Sequence, residues 1–151
     1  MKIQSPVCLL SVGVLLLARS MTAQPAARTI EIQVGDNMRF NPSTIEARAG
    51  ERLRIVLKGV GTMPKLAMGH NLVLLKKGVN PKAFVEKPAG ARDTGFVAPE
   101  MRDQLIAATM VVGPGESSDT TFVVPASGDY DFVCSFPGHF NLGMRGKLVV
   151  R

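Results

Sequence analysis

Residues 130–144 read Tyr130-Asp131-Phe132-Val133-Cys134-Ser135-Phe136-Pro137-Gly138-His139-Phe140-Asn141-Leu142-Gly143-Met144, and the two halves of that stretch follow different rules. In the first half Tyr130, Phe132 and Cys134 alternate, so in an extended chain they share one face, apolar apart from the phenol. Cys134 therefore ends a β-strand with its thiol turned into a core. In the second half Pro137-Gly138 imposes a tight reversal that brings His139 back toward the same point. A thiol, an imidazole and a thioether, from Cys134, His139 and Met144, thus stand on one strand-and-loop unit.

The same alternation recurs upstream. Residues 29–34 put Ile30, Ile32 and Val34 on one face, and residues 52–58 do the same with Leu53, Ile55 and Leu57. Further strands are expected over 70–75, 105–112, 119–124, 129–134 and 147–150. Gly35-Asp36-Asn37, Ala49-Gly50, Gly113-Pro114-Gly115 and Ser127-Gly128-Asp129 supply turn chemistry between them. Seven short runs of this kind predict an all-β protein, a Greek-key β-sandwich. Residues 76–101 break the rhythm with Pro81, Pro88 and Pro99. They are expected to form a long loop or short-helix excursion after the strand carrying His70, covering one edge of the sandwich. A short helix over 80–87 would have Asn80 as its cap and Pro81 at its first position.

The N-terminus has the organisation of a secretory signal peptide: Lys2, an apolar run over 7–18, then a small and polar stretch over 20–24. A bilayer-spanning helix needs about 20 apolar residues, so this run is short for an anchor. The expected division is residues 1–23 as signal and 24–151 as the mature domain, released to the periplasm without stable membrane insertion. Loss of Lys2 and Arg19 lowers the formal charge from +6 to +4. The remaining Lys and Arg residues are scattered, with no stripe or interleaved aromatics of the kind nucleic acid requires. No phosphate-cradling Gly-rich motif or GxSxG elbow occurs.

Cys8 leaves with the signal, so Cys134 is the sole mature cysteine. An unpaired cysteine in an oxidising compartment needs a reason. Thiolate and thioether favour Cu(I), and imidazole tolerates both copper oxidation states. A His₂Cys set with a weak Met is therefore the donor set of electron-transfer copper. The second histidine must be His70, in Met68-Gly69-His70-Asn71, because His70 and His139 are the two histidines of the chain. Asn71 is a candidate to fix the ligand loops by hydrogen bonding, and it equally suits an ordinary turn. Met38, Met63, Met68, Phe136, Phe140 and Leu142 suit either an apolar collar around His139 or the core.

These residues resemble those of the azurins, in the cupredoxin family of blue-copper proteins. The resemblance covers nearly the whole mature chain. It is carried by residues 33–41 (Gln-Val-Gly-Asp-Asn-Met-Arg-Phe-Asn), 63–71 (Met-Pro-Lys-Leu-Ala-Met-Gly-His-Asn) and 134–139. It implies one copper ion per chain, with His70, Cys134 and His139 as equatorial ligands, Met144 as a long axial ligand and the Gly69 carbonyl as an axial contact. Two departures stand out. Four residues separate His139 from Met144 where azurins have three, as in plastocyanin-like and auracyanin-like loops. The N-terminal disulfide of azurins cannot form here.

The function expected is one-electron transfer between periplasmic redox proteins, docking at an apolar patch near His139, by a monomer that is not an enzyme. A carrier or chaperone that delivers copper without redox cycling is the alternative. A Cys134 nucleophile lacks an oxyanion device, and a catalytic zinc site would want an open position rather than a thioether.

Overall fold

The computed structural model describes residues 26–87 and 92–151. The expected signal peptide lies outside the described residues. Alternating buried and exposed side chains build strands β1 (Arg28–Val34), β2 (Thr44–Ala47) and β3 (Arg52–Gly59), followed by the single turn α1 (Lys65–Met68) and β4 (Val73–Leu75). After β4 come α2 (Pro81–Glu86), 3₁₀ turns at Arg92–Thr94 and Pro99–Gln104, then β5 (Leu105–Ala108), β6 (Ser117–Val123), β7 (Gly128–Val133) and β8 (Arg145–Val150). One sheet has the order β1-β3-β6 and the other β2-β8-β7-β4-β5. The pairs β1/β3 and β2/β8 are parallel and the others antiparallel. The protein is an all-β, cupredoxin-like Greek-key sandwich.

The inner faces meet in one core. Ile32, Val34, Leu53, Ile55, Leu57 and Phe122 come from the three-stranded sheet, facing Ile45, Leu74, Tyr130, Phe132 and Leu148 from the other. The Tyr130 hydroxyl donates to the Ala126 carbonyl at 2.7 Å, which satisfies the one polar group on that strand face. Below the five-stranded sheet a second cluster joins Val73, Leu75 and Val133 to Phe84 of α2 and to Val97, Ala98 and Met101. The excursion thus covers an outer face of this sheet. That is why β4 and its approach read as an unbroken apolar run, Leu72-Val73-Leu74-Leu75.

Two strand expectations need correcting, one strand is new, and the open choice for Phe140 is decided. β2 was not anticipated; it pairs in parallel with β8, Ile45 opposite Leu148. His70 does not lie in a continuous strand. It forms an isolated bridge with Val112, and the expected strand over 105–112 ends at Ala108. Between the two points Leu72 N–H donates to the Thr109 hydroxyl at 3.0 Å, a side chain standing in for a ladder carbonyl. Phe140 is core, packed in the second cluster with Arg145 over its ring at 5.7 Å. The helix after Asn80 forms as expected, with the Asn80 side chain accepting from Ala83 N–H at 3.1 Å, and it ends at Glu86.

Candidate metal centre

Strand parity and one turn create the centre. β7 delivers Cys134, fully buried, at its C-terminal end. Gly138, at φ +85°, turns the chain, and His139 N–H donates to the Phe136 carbonyl at 3.2 Å. His139 is thereby returned over the cysteine, its Nδ1 3.6 Å from Cys134 Sγ. His70 arrives from the segment before β4, bridged to Val112. Its ring centroid is 4.9 Å from that of His139. One donor atom from each of His70, Cys134 and His139 lies within 4.8 Å of the others, and all three residues are buried.

Met144 directly precedes β8 and is fully buried in the same apolar cluster as Cys134. Its N–H donates to the His139 carbonyl at 3.0 Å, and its carbonyl accepts from Cys134 N–H at 3.3 Å. Gly69 precedes His70 in extended backbone. A Cβ there would stand 2.6 Å from Val111 Cγ1, 2.8 Å from the Lys65 carbonyl and 3.2 Å from the Phe136 ring, so only glycine lets the loops approach this closely.

A buried polar cluster locks these loops together. Asn71 Oδ1 accepts from Ser135 N–H at 2.9 Å, and Asn71 Nδ2 donates to Ser135 Oγ at 2.9 Å and to the Gly95 carbonyl at 2.7 Å. Ser135 Oγ donates to the same carbonyl at 3.1 Å. Asn71 is therefore a brace rather than an ordinary turn residue. The Gly95 carbonyl was invisible to sequence reasoning, because it belongs to an irregular segment with no periodicity. Aromatic contacts continue the brace. Phe136 stacks on His139 at 4.6 Å, and Phe96, in left-handed backbone at φ +57°, meets Phe136 edge-on at 4.8 Å.

The electrostatics suit a thiophilic cation. Burial pushes the Cys134 thiol up to about 11, against the smaller opposing effect of backbone N–H groups of Asn71 and Phe136 directed at the sulfur. Burial, and then the neighbouring His70 charge, hold His139 down to about 4. Burial also lowers His70, with the Asp36 carboxylate opposing it. At neutral pH the site thus offers two uncharged imidazoles and a thiol whose proton a metal would displace. His70 Nδ1 is buried without a hydrogen-bond partner, which leaves a donor lone pair or proton unspent. Soft sulfur, two imidazoles and that orphaned nitrogen fit copper.

One consequence concerns pH. In the metal-free protein His139 takes up a proton only near pH 4, whereas unfolded it does so near 6.5. Between those values the unfolded chain binds more protons, so stability is complete above about pH 6.5 and falls as pH drops toward 4. Urea midpoints of the metal-free protein should decline across that window, and His139→Gln should flatten the slope. A midpoint that rises on acidification would contradict the burial of His139.

A family model described as copper binding proteins, plastocyanin/azurin family, matches residues 26–151. The outer membrane protein H.8 of Neisseria gonorrhoeae is 40% identical over 122 residues, covering 79% of this chain. The chain spans 65% of the length of that relative. Azurin of Alcaligenes faecalis is 34% identical over 123 residues, 79% of this chain and 94% of that one. Among solved structures, dithionite-reduced auracyanin from the photosynthetic bacterium Roseiflexus castenholzii is similar with a TM-score of 0.70 and 33% identity, covering 83% of this chain and 99% of that one.

Proposed function

The chain belongs to the plastocyanin/azurin family of copper-binding proteins, and from that premise we propose that it is a one-electron carrier built on a single type 1 copper ion. His70, Cys134 and His139 would hold it, with the Met144 thioether and the Gly69 carbonyl as the further donors. The observation that carries this reading is the convergence of three buried donors within 4.8 Å of one another, His70 Nδ1 being buried without a hydrogen-bond partner. Copper held there would supply a Cu(II)/Cu(I) couple.

The chain's own residues do the rest. Cys134 releases its thiol proton to solvent on loading, and the Asn71 and Phe136 N–H groups stabilise the resulting thiolate. The Asn71, Ser135 and Gly95 cluster holds the two ligand loops in one arrangement, so the donors have little to rearrange as the charge changes. Phe136 covers one face of His139 and keeps water from it.

Redox partners dock on the apolar surface over this end of the sandwich. Exposed apolar side chains support the reading: Met63 and Leu142 at 43% and 56%, and Leu66, which lines a shallow apolar depression with Phe96, Val111 and Phe136. Such a surface gives a weak, quickly released encounter. Residues 1–23 act as a secretory signal, and residues 24–151 work in the periplasm as a monomer with no catalytic role. No helix of the described residues is long and apolar enough to cross a membrane.

Electron self-exchange tests the reading. NMR line broadening in mixtures of the copper-loaded oxidised and reduced forms should show rapid exchange, with copper retained against a competing chelator. Slow self-exchange with ready metal loss would instead indicate a protein that delivers copper without cycling.

A further inference from the structure

Arg39 lies on the turn between β1 and β2, far in sequence from the ligand loop, yet its guanidinium reaches that loop. Nη1 donates to the Leu142 carbonyl and, at 3.2 Å, to the Met38 carbonyl. The guanidinium lies against Gly143. A Cβ on that residue would stand 2.6 Å from Nη1, 3.0 Å from Cζ and 3.1 Å from Nη2. Gly143 has φ +98°, open to glycine and strained for other residues.

The anchoring end is itself fixed. Met38 sits in left-handed backbone at φ +51°, its N–H donating to the Gly35 carbonyl at 2.9 Å, and Arg39 N–H donates to Asn37 Oδ1 at 3.2 Å. One side chain therefore fastens two turns, each in unusual backbone, from opposite ends of the chain.

The loop it grips carries His139 and Met144. Leu142, Gly143 and Met144 donate to the carbonyls of Gly138, Phe140 and His139 at 3.2, 2.9 and 3.0 Å. Those bonds fix the loop's internal shape but not its position over the sandwich. The Arg39 grip acts on the second of these, two residues before Met144.

We propose that Arg39 is a positioning residue for the metal centre: by holding the Leu142 carbonyl across Gly143 it sets the backbone from which Met144 makes its axial contact. The proposal rests on Met144 being the axial ligand. Arg39 touches the loop and not the donors, so its effect is on geometry and not on the presence of the site.

Three variants of the full mature domain test this: Arg39→Met, which keeps length without charge or donors; Arg39→Lys, which restores one donor; and Arg54→Leu, which breaks an exposed pair with Asp119 on the other sheet. In the metal-free protein, amide hydrogen exchange at Gly143 and Met144 should quicken about fivefold in Arg39→Met, the scale of one ordinary net hydrogen bond at an exposed position. It should be partly restored in Arg39→Lys and unchanged in Arg54→Leu. In the copper-loaded protein, Arg39→Met alone should shift the ratio of visible bands and the copper hyperfine splitting. Unchanged exchange in Arg39→Met, or an equal change in Arg54→Leu, overturns the grip. Faster exchange with an unshifted copper spectrum overturns the positioning role. A parent protein that takes up no copper overturns the functional reading, and the exchange comparison still decides whether Arg39 holds the loop.

Discussion

Replacing Cys134 by serine is expected to abolish the intense visible absorption of the copper-loaded protein while the sandwich stays folded. The band requires a thiolate on the metal, and a serine hydroxyl neither ionises at neutral pH nor offers the soft sulfur that favours Cu(I). The fold should survive for local reasons. Serine is close in size to cysteine, and the Asn71 and Phe136 N–H groups now directed at the sulfur can donate to its hydroxyl oxygen instead. The penalty for burying that hydroxyl is then about 1–2 kcal/mol, near the low end for a polar group with partners. Titration with Cu(II), followed by visible absorption and far-UV circular dichroism, separates the two effects. A band that persists in Cys134→Ser would remove Cys134 from the ligand set and the function with it.

The part of this site legible in the sequence was the part written locally. Alternation of Tyr130, Phe132 and Cys134 and the reversal at Pro137-Gly138 lie within ten residues, and the structure places them as that local chemistry requires. Leu53, Ile55 and Leu57 in β3 were readable for the same reason. β2 was not, because four residues with two apolar positions carry too short an alternation, and its partner strand is a hundred residues away. His70 reads as strand because its neighbours Leu72 to Leu75 are apolar. The Thr109 hydroxyl, which replaces a ladder carbonyl and leaves His70 on a bridge, left no periodic signal. Phe140 suits either collar or core from its place beside His139, and packing against the excursion, a long-range contact, decides for core. The same limit hid Arg39 and Gly95, whose roles come from contacts between irregular segments.

The largest stability loss is expected from Phe132→Ala, and the reason lies in how three strands share its ring. Phe132 is fully buried, opposite Gly146 on β8 and Leu74 on β4. Its ring fills the space a side chain at Gly146 would need, and meets Phe40 edge-on at 5.1 Å. Collapse into the resulting cavity would require β8 and β7 to close on each other, which the continuous β7/β8 pairing resists. The cost should therefore reach the usual range for Phe→Ala in a rigid site, about 3–5 kcal/mol. That is a large share of a typical domain's 5–15 kcal/mol, and Cys134 is free, so no disulfide to it limits the unfolded chain. Urea unfolding of the metal-free variant measures the loss. Combining Phe132→Ala with Phe40→Ala should cost less than the sum by about 1 kcal/mol, the scale of an edge-to-face aromatic pair. Metal present at about a thousand times its dissociation constant adds about 4 kcal/mol, so the copper-loaded Phe132→Ala protein should remain folded at urea concentrations that unfold the metal-free one. A loss below about 1.5 kcal/mol would mean that the strands do close over the gap, against the rigidity on which the fixed donor geometry depends.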